Sequence, residues 1–144
     1  MEPINSITEG IIGDAIVVHR ELGPGLLEST YEACLAALLS RRSWKVERQV
    51  VMPVIFHDVH LECGYRLDLL VENRVVVELK TVAKLEPVHF AQMMTYIKLS
   101  GCEVGLLINF NVVRLADGIR RIIRGCHTPP ALSNTSAALG DQVP

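Results

Sequence analysis

Two apolar segments, 66–71 and 75–80, flank the short polar stretch Glu72-Asn73-Arg74, and between them they carry two acids and a lysine. Gly64-Tyr65-Arg66-Leu67-Asp68 opens the first segment, and Glu78-Leu79-Lys80 closes the second, with Glu78 ten residues after Asp68. The residues between are otherwise Leu69, Leu70, Val71, Val75, Val76 and Val77. Ionised side chains in such surroundings are costly unless they are paired or bind a metal. A β-hairpin can bring the charges together at this spacing.

Register decides whether they meet. A three-residue loop at 72–74 pairs Val71 with Val75. Continuing that ladder sets Asp68 opposite Glu78 and Arg66 opposite Lys80, all on one face, because faces alternate along a strand. Directly opposed residues have Cβ atoms about 4.5–5.5 Å apart, and carboxylates at that spacing can share one Mg²⁺ with ligand distances of about 2.1 Å. A two-residue loop would pair Asp68 with Val77 instead and send the acids to opposite faces. Asn73 favours the longer loop, since Asn tolerates left-handed backbone. Paired carboxylates beside a lysine suit phosphodiester hydrolysis. A divalent ion neutralises developing charge and acidifies a bound water. Asp68 and Glu78 would hold it, with the Leu79 carbonyl as a third ligand, and Lys80 would orient the water or neutralise the phosphate. An Asp–Lys or Glu–Lys pair satisfying itself within a sheet is the structural alternative.

The flanking pattern gives the layers. Ile7, Ile11, Ala15, Val18 and Leu22 recur at helical spacing over 6–22, with Ser6 and Glu9 as a capping box and Gly23-Pro24 as a stop. A second helix spans about 27–41. Its start is open: Ser29 with Glu32 forms a possible capping box that leaves Glu28 outside, whereas a start after Gly25 puts Glu28 in the first turn. Residues 45–56 read as a strand that Pro53 makes an edge or a bulge. His57-Asp58 is a turn, and strands at about 59–71 and 75–81 follow. Pro87 suits the first turn of a helix that runs to about Leu99 and is capped by Gly101. Val104 to Phe110 reads as a buried strand, and Gly118 to Arg124 as a final strand or short helix. The fold class is α/β with a mixed sheet. From His127 onward Pro, Ser, Thr, Ala and Gly occur without periodicity, so 1–126 is expected as one domain and 127–144 as a disordered tail.

Composition narrows the function classes. The net charge of −2 gives no overall signal for nucleic acid. Two local basic clusters, Arg41/Arg42/Lys45/Arg48 and Arg114/Arg120/Arg121/Arg124, could hold phosphates or be solvated surface. The four cysteines are scattered with no CxxC pair, which favours reduced, mostly buried thiols over a zinc site. No apolar run approaches the roughly 18 residues of a membrane span. MEPINSITEG lacks the features of a signal peptide, so a cytoplasmic location without membrane contact is expected. Gln92 and Tyr96 share a helix face, which could include His89, and can hydrogen-bond phosphate or sugar. His57 and His60 read as turn or surface residues.

Together these residues resemble the PD-(D/E)XK nuclease superfamily, and more closely its small GxxExxY-type branch. Gly25-Leu26-Leu27-Glu28-Ser29-Thr30-Tyr31 matches the branch motif, Asp68 and Glu78-Leu79-Lys80 match the acid and ExK motif, and Gln92 to Tyr96 matches the QxxxY motif of RecB-like nucleases. The resemblance covers roughly 5–124 and departs from the family in having Leu67, not proline, before Asp68. It implies a restriction-endonuclease-like α-β-β-β-α-β core, a mixed central sheet flanked by helices with the site at the sheet's open edge. It also implies a metal-ligand role for Glu28. The expected activity is a Mg²⁺-dependent nuclease, with Mn²⁺ as a substitute and DNA ahead of RNA as substrate. Asp68, Glu78 and Lys80 are its expected catalytic residues, and Gln92, Tyr96, Arg66, Arg120 and Arg121 its substrate contacts. A homodimer or partner protein is expected to assist recognition. A non-catalytic binding module on the same scaffold is the alternative.

Overall fold

The computed structural model of the protein describes residues 2–62 and 64–125, so Cys63, Cys126 and the tail expected at 127–144 lie outside it. Helix α1 (Ile4–Leu22) buries Ile7, Ile11, Ala15 and Val18. It starts before Ser6, with Pro3 as N-cap. The expected Ser6–Glu9 box is not formed. Pro3 presets an entry angle, and its carbonyl accepts the Ser6 and Ile7 N–H groups at 3.0 and 3.3 Å. Helix α2 (Glu28–Ser40) places Glu28 in its first turn, after Leu27 as N-cap. The Ser29–Glu32 box is also absent, because the Glu32 side chain is buried and bonded to Arg48 and Gln49 on a neighbouring strand.

Tyr31 fixes the approach to α2. It is fully buried, and its ring stacks on Phe110 with centroids 4.3 Å apart. Its hydroxyl accepts the Leu26 N–H at 3.1 Å and donates to the Gly23 carbonyl. The Gly-Pro-Gly turn is thus tied to its own helix. Gly25 sits at φ 99°, a conformation that favours glycine.

The strand expected at 45–56 is two strands, β1 (Val46–Val51) and β2 (Val54–Phe56). They part at Met52-Pro53, where proline has no N–H for a ladder. The strand expected at 59–71 is likewise β3 (Val59–Leu61) and β4 (Arg66–Val71), with Gly64 at φ 81° between them. The β2–β3 pair stands apart as a two-stranded hairpin around His57 and Asp58, both left-handed. Then follow β5 (Val75–Lys80), α3 (Pro87–Ser100), β6 (Val104–Asn109), a 3₁₀ turn (Leu115–Gly118) and β7 (Ile119–Ile123). Gly101 closes α3 at φ 76°.

The main sheet has the order β1-β4-β5-β6-β7. β5 and β6 are parallel, joined through α3, and the other pairs are antiparallel. One apolar cluster joins α1 and α2 to Leu69, Val71, Val75, Val77, Leu79, Leu106 and Ile108. A second joins α3 to Leu67, Leu70, Val76, Leu107 and Ile122. The sheet is the middle layer of three, which is the mixed α/β architecture expected. Every residue of β6 is buried. Close approach fixes its far end: a Cβ on Gly118 would collide with the Asn109 carbonyl oxygen. No helix is long and apolar enough to cross a membrane, among the described residues.

Candidate active site

Glu72 and Asn73 both take left-handed backbone, and the Arg74 N–H closes onto the Val71 carbonyl at 2.9 Å. Arg74 is then the extra residue of the loop, and Val71 pairs with Val75. The ladder continues through Leu70 with Val76 and Leu69 with Val77, and its last cross-strand pair is there. At the next step side chains replace backbone. The Asp68 N–H donates to Glu78 Oε2 at 2.8 Å, and the Leu79 N–H donates to Asp68 Oδ2 at 2.8 Å. The two acids are therefore seated in the opening seam between the strands, each serving a donor of the other strand.

Face alternation breaks at the same point. Leu69 and Val71 lie in the α1/α2 cluster, yet Leu67, which regular alternation would put with them, lies in the α3 cluster. Asp68 reaches toward the α2 side, where Gln49 Nε2 donates to its Oδ1 at 3.2 Å. Lys80 reaches the other way, and its Nζ donates to Gln92 Oε1 on α3 at 3.0 Å. Three of the four charges expected on one face, Asp68, Glu78 and Lys80, instead meet at a seam with access to both helical layers. Arg66 does not oppose Lys80. Once the β4–β5 ladder has ended it pairs with Val51 of β1, and it is exposed.

Burial governs the electrostatics. Glu78 is only 4% exposed, and its carboxyl is pushed up to about 8, first by burial and then by the Asp68 charge. Asp68 also rises above the usual carboxylate range through burial, with the Leu79 N–H and the Gln49 amide opposing the shift. Glu28, at the N-terminus of α2, is raised by partial desolvation, with Lys80 and the Thr81 backbone opposing the shift. Its side chain is exposed, so solvent screens that shift more than the others. These shifts mark acids gathered in a desolvated setting, the kind in which functional carboxylates are found.

The donor set is all hard oxygen, which suits an ion of the Mg²⁺ class. Leu79 adds a carbonyl. Its N–H points to Asp68, and in an extended strand the N–H and C=O of one residue leave along the same edge. Among the described residues no three acids, cysteines or histidines are close enough to hold an ion by themselves. Mg²⁺ usually takes one or two carboxylates and completes its shell with water and phosphate oxygens, so a two-carboxylate seat fits it.

Gln92 and Tyr96 meet protein groups first. Gln92 accepts a hydrogen bond from Lys80, and it acts to lower the pKa of the nearby Tyr96 hydroxyl. Tyr96 is buried, edge-on to Tyr65 at 6.3 Å, and its hydroxyl is raised by burial and then by Glu78 and Asp68. His89 belongs to the α3 cap: its Nδ1 accepts the Glu86 N–H at 2.8 Å, and burial and Lys80 lower its pKa.

The arginines divide. Arg120 pairs with Leu107, which pairs with Glu78, so Arg120 shares the Glu78 face two strands away, about 10 Å by strand spacing. Arg121 faces the opposite layer, and its Nη2 donates to Asn5 Oδ1 of α1 at 2.8 Å. Two residues of the first basic cluster are already engaged. Arg42 makes two bonds to Asp14 at 2.8 and 3.0 Å, and Arg48 pairs with Glu32 at 3.0 Å. Cys34 and Cys102 are free thiols, and His57 and His60 are exposed, as the sequence suggested.

Sequence reasoning passed over Glu32 and Gln49. Gln49 is left-handed within β1, at φ 52°, and its amide nitrogen also donates to Glu32 Oε1 at 2.7 Å. A polar residue in a strand next to a basic cluster gave no signal of this, because its partners are 17 and 19 positions away.

A comparison with curated proteins returned no match. The family model of the PD-(D/E)XK nuclease superfamily matches residues 5–122, a span that takes in both helical layers, the seam and all but the last residue of β7. With an acid and an E-x-K triplet meeting where a mixed sheet opens, and that match over most of its length, the chain belongs to the PD-(D/E)XK nuclease superfamily.

Proposed function

We propose that the protein is a Mg²⁺-dependent nuclease of the GxxExxY type, RecB-like in its QxxxY helix, hydrolysing phosphodiester bonds with DNA ahead of RNA. The observation that carries this reading is the seam itself. Two partly desolvated acids share backbone donors across the strands, with Lys80 two residues beyond Glu78. Nucleases of the superfamily typically use divalent metals such as Mg²⁺.

Asp68, Glu78 and the Leu79 carbonyl would hold the ion, with Glu28 in the first turn of α2 as a further ligand. Bound there, Mg²⁺ supplies charge neutralisation at the phosphate and a more acidic water. The chain's own groups do the rest. Lys80 brings a positive charge to the side of the acids on which phosphate charge develops. Gln92 holds that ammonium at 3.0 Å, so the first residue of the QxxxY motif acts on the lysine before it acts on substrate. Tyr31 and Gly25 keep Glu28 at the helix start. Arg120 is the basic residue best placed for a phosphate beyond the scissile one. Since Arg42 and Arg48 are already paired, a second copy or a partner protein extends the substrate surface.

The test is cleavage of labelled single- and double-stranded DNA and RNA with Mg²⁺, Mn²⁺ or EDTA, by the wild type and Lys80→Ala in parallel. Metal-dependent cleavage that disappears in the variant is the expected result. Absence of cleavage with every substrate, together with no Mn²⁺ binding by calorimetry, overturns the reading in favour of a non-catalytic module.

A further inference from the structure

Asp68 must present its free lone pairs in one direction if it is to hold an ion, and it stands just past the last β4–β5 ladder pair, where its carboxylate needs partners to fix it. Leu79 fixes one oxygen. The other is fixed from outside the motif. Gln49 Nε2 lies 3.2 Å from Asp68 Oδ1 and 2.7 Å from Glu32 Oε1. Both neighbours are carboxylates, so the nitrogen end of the amide must face them, and its two hydrogens serve one acid each. Glu32 is in turn 6% exposed and held through its other oxygen by Arg48 Nε at 3.0 Å. The chain of contacts runs Arg48, Glu32, Gln49, Asp68, Leu79.

The backbone is shaped to allow it. Gln49 takes φ 52° inside β1, which is uncommon for a residue other than Gly, Asn or Asp. The β1–β4 pairing skips from Arg48–Leu69 to Val50–Leu67, omitting the Gln49–Asp68 step. Val50 and Leu67 then both lie against the α3 cluster. The left-handed residue thus coincides with the break that aims Asp68 at the seam, and outlying strain of this kind clusters at functional sites.

We infer that Gln49, anchored by the buried Glu32, is a positioning residue that sets the orientation of the Asp68 carboxylate for metal. The inference rests on the nuclease reading and deepens it. An amide suits the task because it donates to two acids without adding a charge that would compete with the ion. Lysine or arginine there would neutralise Asp68 and weaken its hold on a cation.

Gln49→Met keeps the length and removes both donors, and Gln49→Gly removes them while relaxing the backbone. Mn²⁺ affinity is measured by calorimetry on the full chain, alongside kcat and KM for the substrate cleaved by the wild type. The expected result is a dissociation constant for Mn²⁺ raised about 10-fold or more in both variants, the usual range for such outer contacts. A fall in kcat with little change in KM is expected with it. Urea unfolding checks that each variant is folded, and Glu32→Gln, which keeps the side-chain volume, should weaken Mn²⁺ binding in the same direction. Wild-type Mn²⁺ affinity in a folded Gln49→Gly overturns this inference while leaving the nuclease reading intact. A wild type that neither binds Mn²⁺ nor cleaves overturns both.

Discussion

Glu78 offers the sharpest physical test, through the dependence of stability on pH in metal-free buffer. Its carboxyl moves from an ordinary 4.5 to about 8 in the folded protein, mainly because it is buried. Between those values the unfolded chain has released the proton and the native chain still binds it. Stability therefore falls as pH rises, by about 1.4 kcal/mol per pH unit, and the whole window amounts to about 5 kcal/mol. That is a large share of the 5–15 kcal/mol typical of a domain. Asp68, also raised, acts in the same direction. The assay is urea unfolding in EDTA from pH 5 to 8.5 for the wild type and Glu78→Gln. The wild type should lose stability steadily toward pH 8, and the variant should show a much shallower slope. Saturating Mn²⁺ at pH 8 should restore much of what the wild type loses, since an ion that binds only the native state stabilises it. A wild-type stability that is flat or rises across this range would refute the reasoning, as would an equal slope in the variant.

Tyr31→Phe leaves the Leu26 N–H and the Gly23 carbonyl without their partner and should cost about 1–3 kcal/mol in urea unfolding, with Mn²⁺ affinity lowered through Glu28. Arg120→Ala should weaken nucleic-acid binding and reduce its salt slope by about 1, whereas Arg121→Ala, on the opposite face, should leave the slope unchanged in a fluorescence titration. Gly118→Ala should lower the unfolding midpoint markedly, because a β-carbon there meets the Asn109 carbonyl; an unchanged midpoint would show that the 3₁₀ turn yields at little cost.

The hairpin register was legible because it rests on local chemistry: a loop of three residues, one of them Asn, between apolar strands of fixed parity. Pro87 and Gly101 marked the ends of α3 for similarly local reasons. Signals with a rival donor or acceptor elsewhere in the chain failed. Ser6 and Ser29 looked like caps, but Pro3 supplied one helix start and Glu32 was drawn to Arg48. The strands at 45–56 and 59–71 broke where Met52-Pro53 and Gly64 interrupted the ladder. The site was read as four charges stacked on one face, because parity assumes an unbroken strand. The kink at Gln49 and Asp68 arises from contacts between elements distant in sequence, which periodicity does not carry. Arg66 was misplaced for that reason.

The seam between β4 and β5 has a consequence for how retained acids should be interpreted. Asp68 and Glu78 occupy the stations where backbone carbonyls would otherwise accept the Leu79 and Asp68 amides. They are stitches in the sheet as well as the proposed metal ligands. A descendant that had abandoned chemistry would still have reason to keep both, since removing either frays the strand junction. In chains of this architecture an intact acid pair is evidence of an intact fold, and the lysine, which closes no backbone gap, is the better witness to activity.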